Sequence, residues 1–178
     1  MLEEIDFTHI EYLKTGNDRQ RKAYSVLVEL SLFKDLDTYS PILTGTIPIG
    51  IDIPSSDLDI ICQCSDHEAF TNEITTLYAQ KDQFQIRTNT INELISTIAS
   101  FRVDGFEIEI FGQDCPTVQQ NAYKHMMVEH AILNKKGDPF REEIIQLKKS
   151  GLKTEPAFAQ LLGLDGNPYE ALLKMKIT

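Results

Sequence analysis

The segment Asp57-Leu58-Asp59-Ile60 constrains this chain more than any other. Side chains on a β-strand alternate between faces, so a strand here sets both carboxylates on one side. Leu58, Ile60 and Cys62 then point the other way, into a core. Parallel carboxylates repel, which is unfavourable unless protons or cations neutralise them. Taken alone, an Asp-x-Asp pair is better explained by acids that face water. The residues upstream shift that balance. Pro41-Ile42-Leu43-Thr44 reads as a short strand that ends in Gly45-Thr46. A glycine there lets backbone N–H groups approach a phosphate, and the Thr46 hydroxyl can donate to a phosphate oxygen. Between the two, Ile47 to Ser56 carries Pro48, Gly50 and Pro54, which predict an irregular loop. Oxygen ligands with no histidine beside them suit Mg2+ or Mn2+.

Elsewhere the pattern is mixed up to about residue 114 and helical beyond it. Apolar residues at Ala23, Val26, Leu27, Leu30 and Phe33 predict a helix from Asp18 to Phe33. His67 to Ala79 reads as a helix capped by Ser65 or Asp66, and Phe84 to Thr90 as a strand. Asp104-Gly105, between Ser100–Val103 and Phe106–Ile110, signals a hairpin with a two-residue turn. Pro116 to Leu133, Pro139 to Lys149, Glu155 to Leu162 and Pro168 to Met175 read as helices, with Thr154 as a cap for the third. The fold class is therefore α+β: a small mixed sheet with flanking helices, followed by a helical C-terminal region. Residues 1–114 form the expected core and 115–178 a helical region packed on it, within one continuous domain or beside it.

The net charge of −10 over 178 residues, with no Lys- or Arg-rich run, disfavours a polymeric nucleic-acid partner. It suits a small or cationic acceptor better. No apolar run approaches the roughly 20 residues of a membrane helix, and the opening MLEEIDF is acidic where a secretory leader is basic. A cytoplasmic protein with no membrane partner is expected. Cys62, Cys64 and Cys115 read as reduced thiols, because Cys62, Cys64 and His67 would make a zinc site one ligand short.

The segment LTGTIPIGIDIPSSDLDIIC resembles the signature of polymerase-beta-type nucleotidyltransferases. That signature is a Gly-Ser or Gly-Gly pair after a strand, a loop, then an Asp-hydrophobic-Asp-hydrophobic strand. Gly50 and Ser56-Asp57 also match small bacterial members, and AYKHMMVEH and GLKTEPAFAQLL add to the likeness of a bacterial branch. Two residues depart from it. Thr46 stands for the second Ser or Gly and keeps a hydroxyl, whereas Ile49 stands where many relatives carry Arg or Lys. The resemblance implies the nucleotidyltransferase fold and transfer of a nucleoside monophosphate from NTP to a hydroxyl of a small molecule or protein. It also implies a third carboxylate on a later strand. Glu107 and Glu109 both fit. With Asp104-Gly105 as the turn, Arg102 lies opposite Glu107 and Ser100 opposite Glu109, which frees Glu109 as the ligand. Asp57, Asp59 and Glu109 are then the catalytic and metal-binding residues for Mg2+ or Mn2+, and Gly45, Thr46, Ser56 and Lys124 bind the nucleotide.

Positive charge for a triphosphate is sought among Arg87, Lys124, Lys148, Lys149 and Lys153. His125 and Glu129 share a helix face four residues apart, as nucleotide-side residues or as an ordinary helix surface pair. Met126 and Met127 read as core, and Asp52, isolated between isoleucines, reads as no ligand. A glycosyltransferase also uses Asp-x-Asp, but only 56 residues precede Asp57 and that reading leaves Gly45-Thr46 unexplained. The absent cation at position 49 keeps open a catalytically weak nucleotide-binding or toxin–antitoxin-type module of the same fold.

Overall fold

The computed structural model describes residues 5–175; the acidic start Met1–Glu4 lies outside the described residues. A 3-10 turn, Glu11–Thr15, leads into helix α1, Asp18–Glu29. Asn17 and Gln20 cap α1 reciprocally, each side chain meeting the other's backbone N–H. The expected single helix to Phe33 breaks at Ser31, whose φ of 54° starts a second short helix, α2, Leu32–Asp35. Strands β1, Ile42–Thr44, and β2, Leu58–Gln63, follow on either side of the loop. Helix α3, His67–Tyr78, is capped by Asp66 through Ala69 N–H at 2.9 Å.

Strands β3, Asp82–Ile91, β4, Leu94–Val103, and β5, Phe106–Gln113, complete a five-stranded mixed sheet in the order β1-β2-β5-β4-β3. Only the β2–β5 pairing is parallel. The second hairpin, between β3 and β4, turns at Asn92-Glu93 with φ of 50° and 66°. Asparagine tolerates that conformation but glutamate gives no turn signal, so the first half of β4 was not legible in the sequence.

Four helices follow: α4, Asn121–Lys136, α5, Asp138–Lys149, α6, Thr154–Leu162, and α7, Pro168–Leu173. Pro116 opens a 3-10 turn, Thr117–Gln119, and α4 itself starts five residues after it. Thr154 is the first residue of α6 and Lys153 takes the cap position, with no side-chain bond. Three thiols are free among the described residues, and Cys62 lies in the core.

The two faces of the sheet have different roles. Leu43, Leu58, Ile60, Ala99, Phe101, Ile108 and Ile110 are buried in one cluster with Leu27 of α1 and Phe70 and Ile74 of α3. The alternation that buries Leu58 and Ile60 leaves Asp59 on the opposite face. A second cluster joins Met126, Leu133, Ile144 and Phe158 of the C-terminal helices to Ile49 and Ile51 of the β1–β2 loop. Ile49, at the position where the resembled family carries a cation, is thus a core residue at 4% exposure. Ile49→Lys will lower the unfolding free energy by about 3–5 kcal/mol, because it buries a charge with no partner. Urea denaturation checks this; unchanged stability would contradict the packing described.

Candidate active site

Strand β1 delivers Gly45 to the acids. Thr44 is the Cα partner of Asp59, and its hydroxyl donates to the Asp59 carbonyl at 3.3 Å. Gly45 follows at φ 84°, and a Cβ there would sit 2.5 Å from Asp59 Oδ2. Both the backbone angle and the close approach of the carboxylate require glycine. On the other side of Asp59, parallel β5 places Glu109 as its direct partner. Adjacent strands lie about 4.8 Å apart, so the two carboxylates share one face side by side.

The hairpin register separates the two glutamates. Arg102 pairs with Glu107, Nη2 donating to Oε2 at 3.0 Å, and Ser100 pairs with Glu109. Asp57, Asp59 and Glu109 line one cavity of about 750 Å3, whereas Glu107 does not line it. Burial, then Asp57 and Glu109, push the Asp59 carboxyl up to about 8. Burial and Asp57 raise Glu109 as well. Lys148 opposes that shift on Asp59. An all-oxygen donor set on which like charges converge fits a hard divalent cation such as Mg2+. Asp57, Asp59 and Glu109 are the residues that would hold it.

The loop from Gly45 to Asp57 is held through its carbonyl oxygens. Gln20 Nε2 donates to Ile47 O at 2.9 Å and Pro48 O at 3.1 Å. Arg141 Nη1 donates to Ile49 O and to Gly50 O, the latter at 3.3 Å. Lys148 Nζ donates to Ile51 O at 2.7 Å. Arg19 Nη2 donates to Pro54 O at 3.2 Å and Ser56 O at 2.9 Å, and its Nε lies 3.6 Å from Asp52. Asp52 is therefore the counter-ion of a loop clamp. Inside the loop, Ser56 Oγ accepts from Ile53 N–H at 2.9 Å and from the Thr46 hydroxyl at 3.2 Å. The clamp residues carry no sequence signal, because each sits on an ordinary amphipathic helix far from the loop in the chain.

Gly45, Thr46 and Ser56 line the cavity with the acids, and Lys124 does not. Helix α4 borders the cavity through Asn121, Ala122, His125, Met126 and Glu129. Lys124 is exposed on another face of the same helix. The cations that do line the cavity are Lys148 and Lys153, while Arg87 and Lys149 are exposed and do not. His125 and Glu129 are 7% and 4% exposed, so they are no ordinary helix surface pair.

Several solved structures share this fold. A Cid1 poly(U) polymerase bound to MgGTP superposes with a TM-score of 0.54 at 12% identity, over 74% of this chain and 42% of that one. The GLD-2/RNP-8 complex gives 0.54 at 12% identity, over 86% and 61%. A Cid1 variant bound to MgATP gives 0.54 at 15% identity, over 88% and 49%. The chain thus spans less than two thirds of each of these neighbours. The fold is that of nucleotidyltransferases. By sequence the chain belongs to the family described as "Domain of unknown function (DUF4269)", whose model matches residues 25–175. No curated protein matches it.

The raised Asp59 makes the metal-free protein pH-sensitive. A carboxyl whose folded pKa exceeds its unfolded value, about 3.9, withdraws stability as pH climbs from there to about 8. Asp59→Asn will therefore raise the melting temperature at pH 8 and change it little at pH 5. Thermal unfolding without divalent ions checks this, and equal effects at both pH values would contradict it.

Proposed function

We propose that the chain is a metal-dependent nucleotidyltransferase that moves a nucleoside monophosphate from NTP to a hydroxyl acceptor. The carrying observation is the juxtaposition of Asp59, Glu109 and Gly45 on one cavity wall. Asp57, Asp59 and Glu109 repel one another in a partly enclosed site and would hold divalent ions that neutralise them. Bound Mg2+ supplies charge for the departing pyrophosphate and lowers the pKa of the acceptor hydroxyl. Asp57 and Asp59 hold and orient the ions, and Glu109 completes the set on the side of the attacking hydroxyl. Gly45 and Thr46 offer backbone N–H groups to the phosphates, and the Thr46 hydroxyl turns from Ser56 to a phosphate oxygen. Lys148 and Lys153 are the cations that face the same space. The acceptor oxygen forms its bond to the alpha-phosphorus as pyrophosphate leaves in line.

The acceptor is a small molecule or protein hydroxyl. The net charge of −10 favours a neutral or cationic acceptor over a long polyanion. A second reading, an RNA end, rests on the names of the structural neighbours, poly(U) polymerase and RNA terminal U-transferase. The placement within a bacterial branch of the polymerase-beta-type superfamily rests on the Gly50 and Ser56-Asp57 motif. The catalytically weak module loses its main motive, because Ile49 serves the core and Lys148 and Lys153 stand at the cavity.

Transfer of label from alpha-labelled NTPs, with Mg2+, to a panel of amines bearing hydroxyls, proteins and oligo(U) RNA tests the proposal. Wild type will transfer label to at least one acceptor. Asp59→Asn and Glu109→Gln will lose at least about 100-fold, whereas Glu107→Gln will stay within about threefold of wild type. Transfer that persists in Asp59→Asn would overturn the assignment.

A further inference from the structure

A second set of ligands lines the cavity. His125 and Glu129 lie one turn apart on α4, and Glu155 stands in the first turn of α6. One ligand atom from each lies within 4.8 Å of the other two. Around a single transition-metal ion such atoms are about 3–4 Å apart, since each bond is near 2.0–2.2 Å. Glu155 is half-buried.

Two members of the set, His125 and Glu129, are buried. His125 is 7% exposed, and its Nδ1 has no hydrogen-bond partner among the described residues. Glu129 is 4% exposed, and no ion pair holds it among the described residues. A buried imidazole nitrogen without a partner and a buried carboxylate without an ion pair are costly. Burial and the neighbouring Glu155 hold the Glu129 carboxyl well above the usual range. Lys148 partly opposes that shift, and its Nζ donates to Ile51 O at 2.7 Å.

We propose that His125, Glu129 and Glu155 form a second metal site that binds Zn2+ and ties α4 to α6 at the cavity wall. The donor chemistry separates it from the triad. One imidazole with two carboxylates suits Zn2+, whereas Asp57, Asp59 and Glu109 offer only the oxygens that suit Mg2+. Three protein ligands leave a coordination position open. That position faces the cavity, because all three residues line it. The site stands whether or not the chain transfers nucleotides.

Calorimetric titration of Zn2+ into the chelator-stripped full chain, with excess Mg2+ present, tests the proposal. Wild type and Asp57→Asn will each bind one equivalent. His125→Gln and Glu155→Gln will weaken binding by more than about 100-fold, with far-UV circular dichroism unchanged for Glu155→Gln. X-ray absorption of the zinc-loaded protein will show one imidazole in the first coordination sphere. Loss of binding in Asp57→Asn with retention in Glu155→Gln would overturn the site in favour of the triad. Absence of Zn2+ binding, together with spermidine binding that Glu155→Gln removes, would overturn it in favour of an ammonium subsite.

Discussion

The loop between β1 and β2 points a row of backbone carbonyls at α1 and α5, and four side chains satisfy them. Gln20 and Arg19 reach it from α1, Arg141 and Lys148 from α5. A hydrogen bond to a charged group contributes about 1.5–3 kcal/mol, and an orphaned buried carbonyl costs about 1–3 kcal/mol. The loop is therefore held by parts of the chain from either side of the sheet in sequence. The same loop carries Gly45 at one end and Asp57 at the other, so the clamp fixes the distance across the site. Two of its isoleucines, Ile49 and Ile51, anchor it in the C-terminal helical core.

Lys148 links the loop to the electrostatics of the cavity. Burial lowers its pKa to about 8, and Glu129, Asp52, Glu155 and Asp57 oppose that. It thus acts on residues of both carboxylate groups while its ammonium is tied to Ile51. One lysine is thus shared by the two groups, and Arg87 also acts on Glu109.

The sheet and its acids were legible because strand alternation is a strict rule. Leu58 and Ile60 had to oppose Asp57 and Asp59, and the Asp104-Gly105 turn had to set Arg102 against Glu107. The hairpin at Asn92-Glu93 was hidden, since its positive φ angles come without glycine. The break at Ser31 was hidden for the same reason. At the site, Gly45 was read as room for a phosphate, and the structure adds that Asp59 already occupies the space a Cβ would take. That His125 and Glu129, and not Lys124, line the cavity was hidden because helix phase relative to the sheet depends on tertiary packing, which a linear pattern does not encode. Glu155 and the clamp residues were hidden because their partners are distant in sequence.

The central claim is that Asp57, Asp59 and Glu109 hold divalent metal against a triphosphate seated on Gly45-Thr46. Anomalous diffraction from crystals soaked with Mn2+ and a nonhydrolysable NTP tests it most directly. The account predicts a manganese peak bound by Asp57 and Asp59, with phosphate oxygens against the Gly45 and Thr46 N–H groups. A nucleotide bound elsewhere, with no metal at these aspartates, would contradict it.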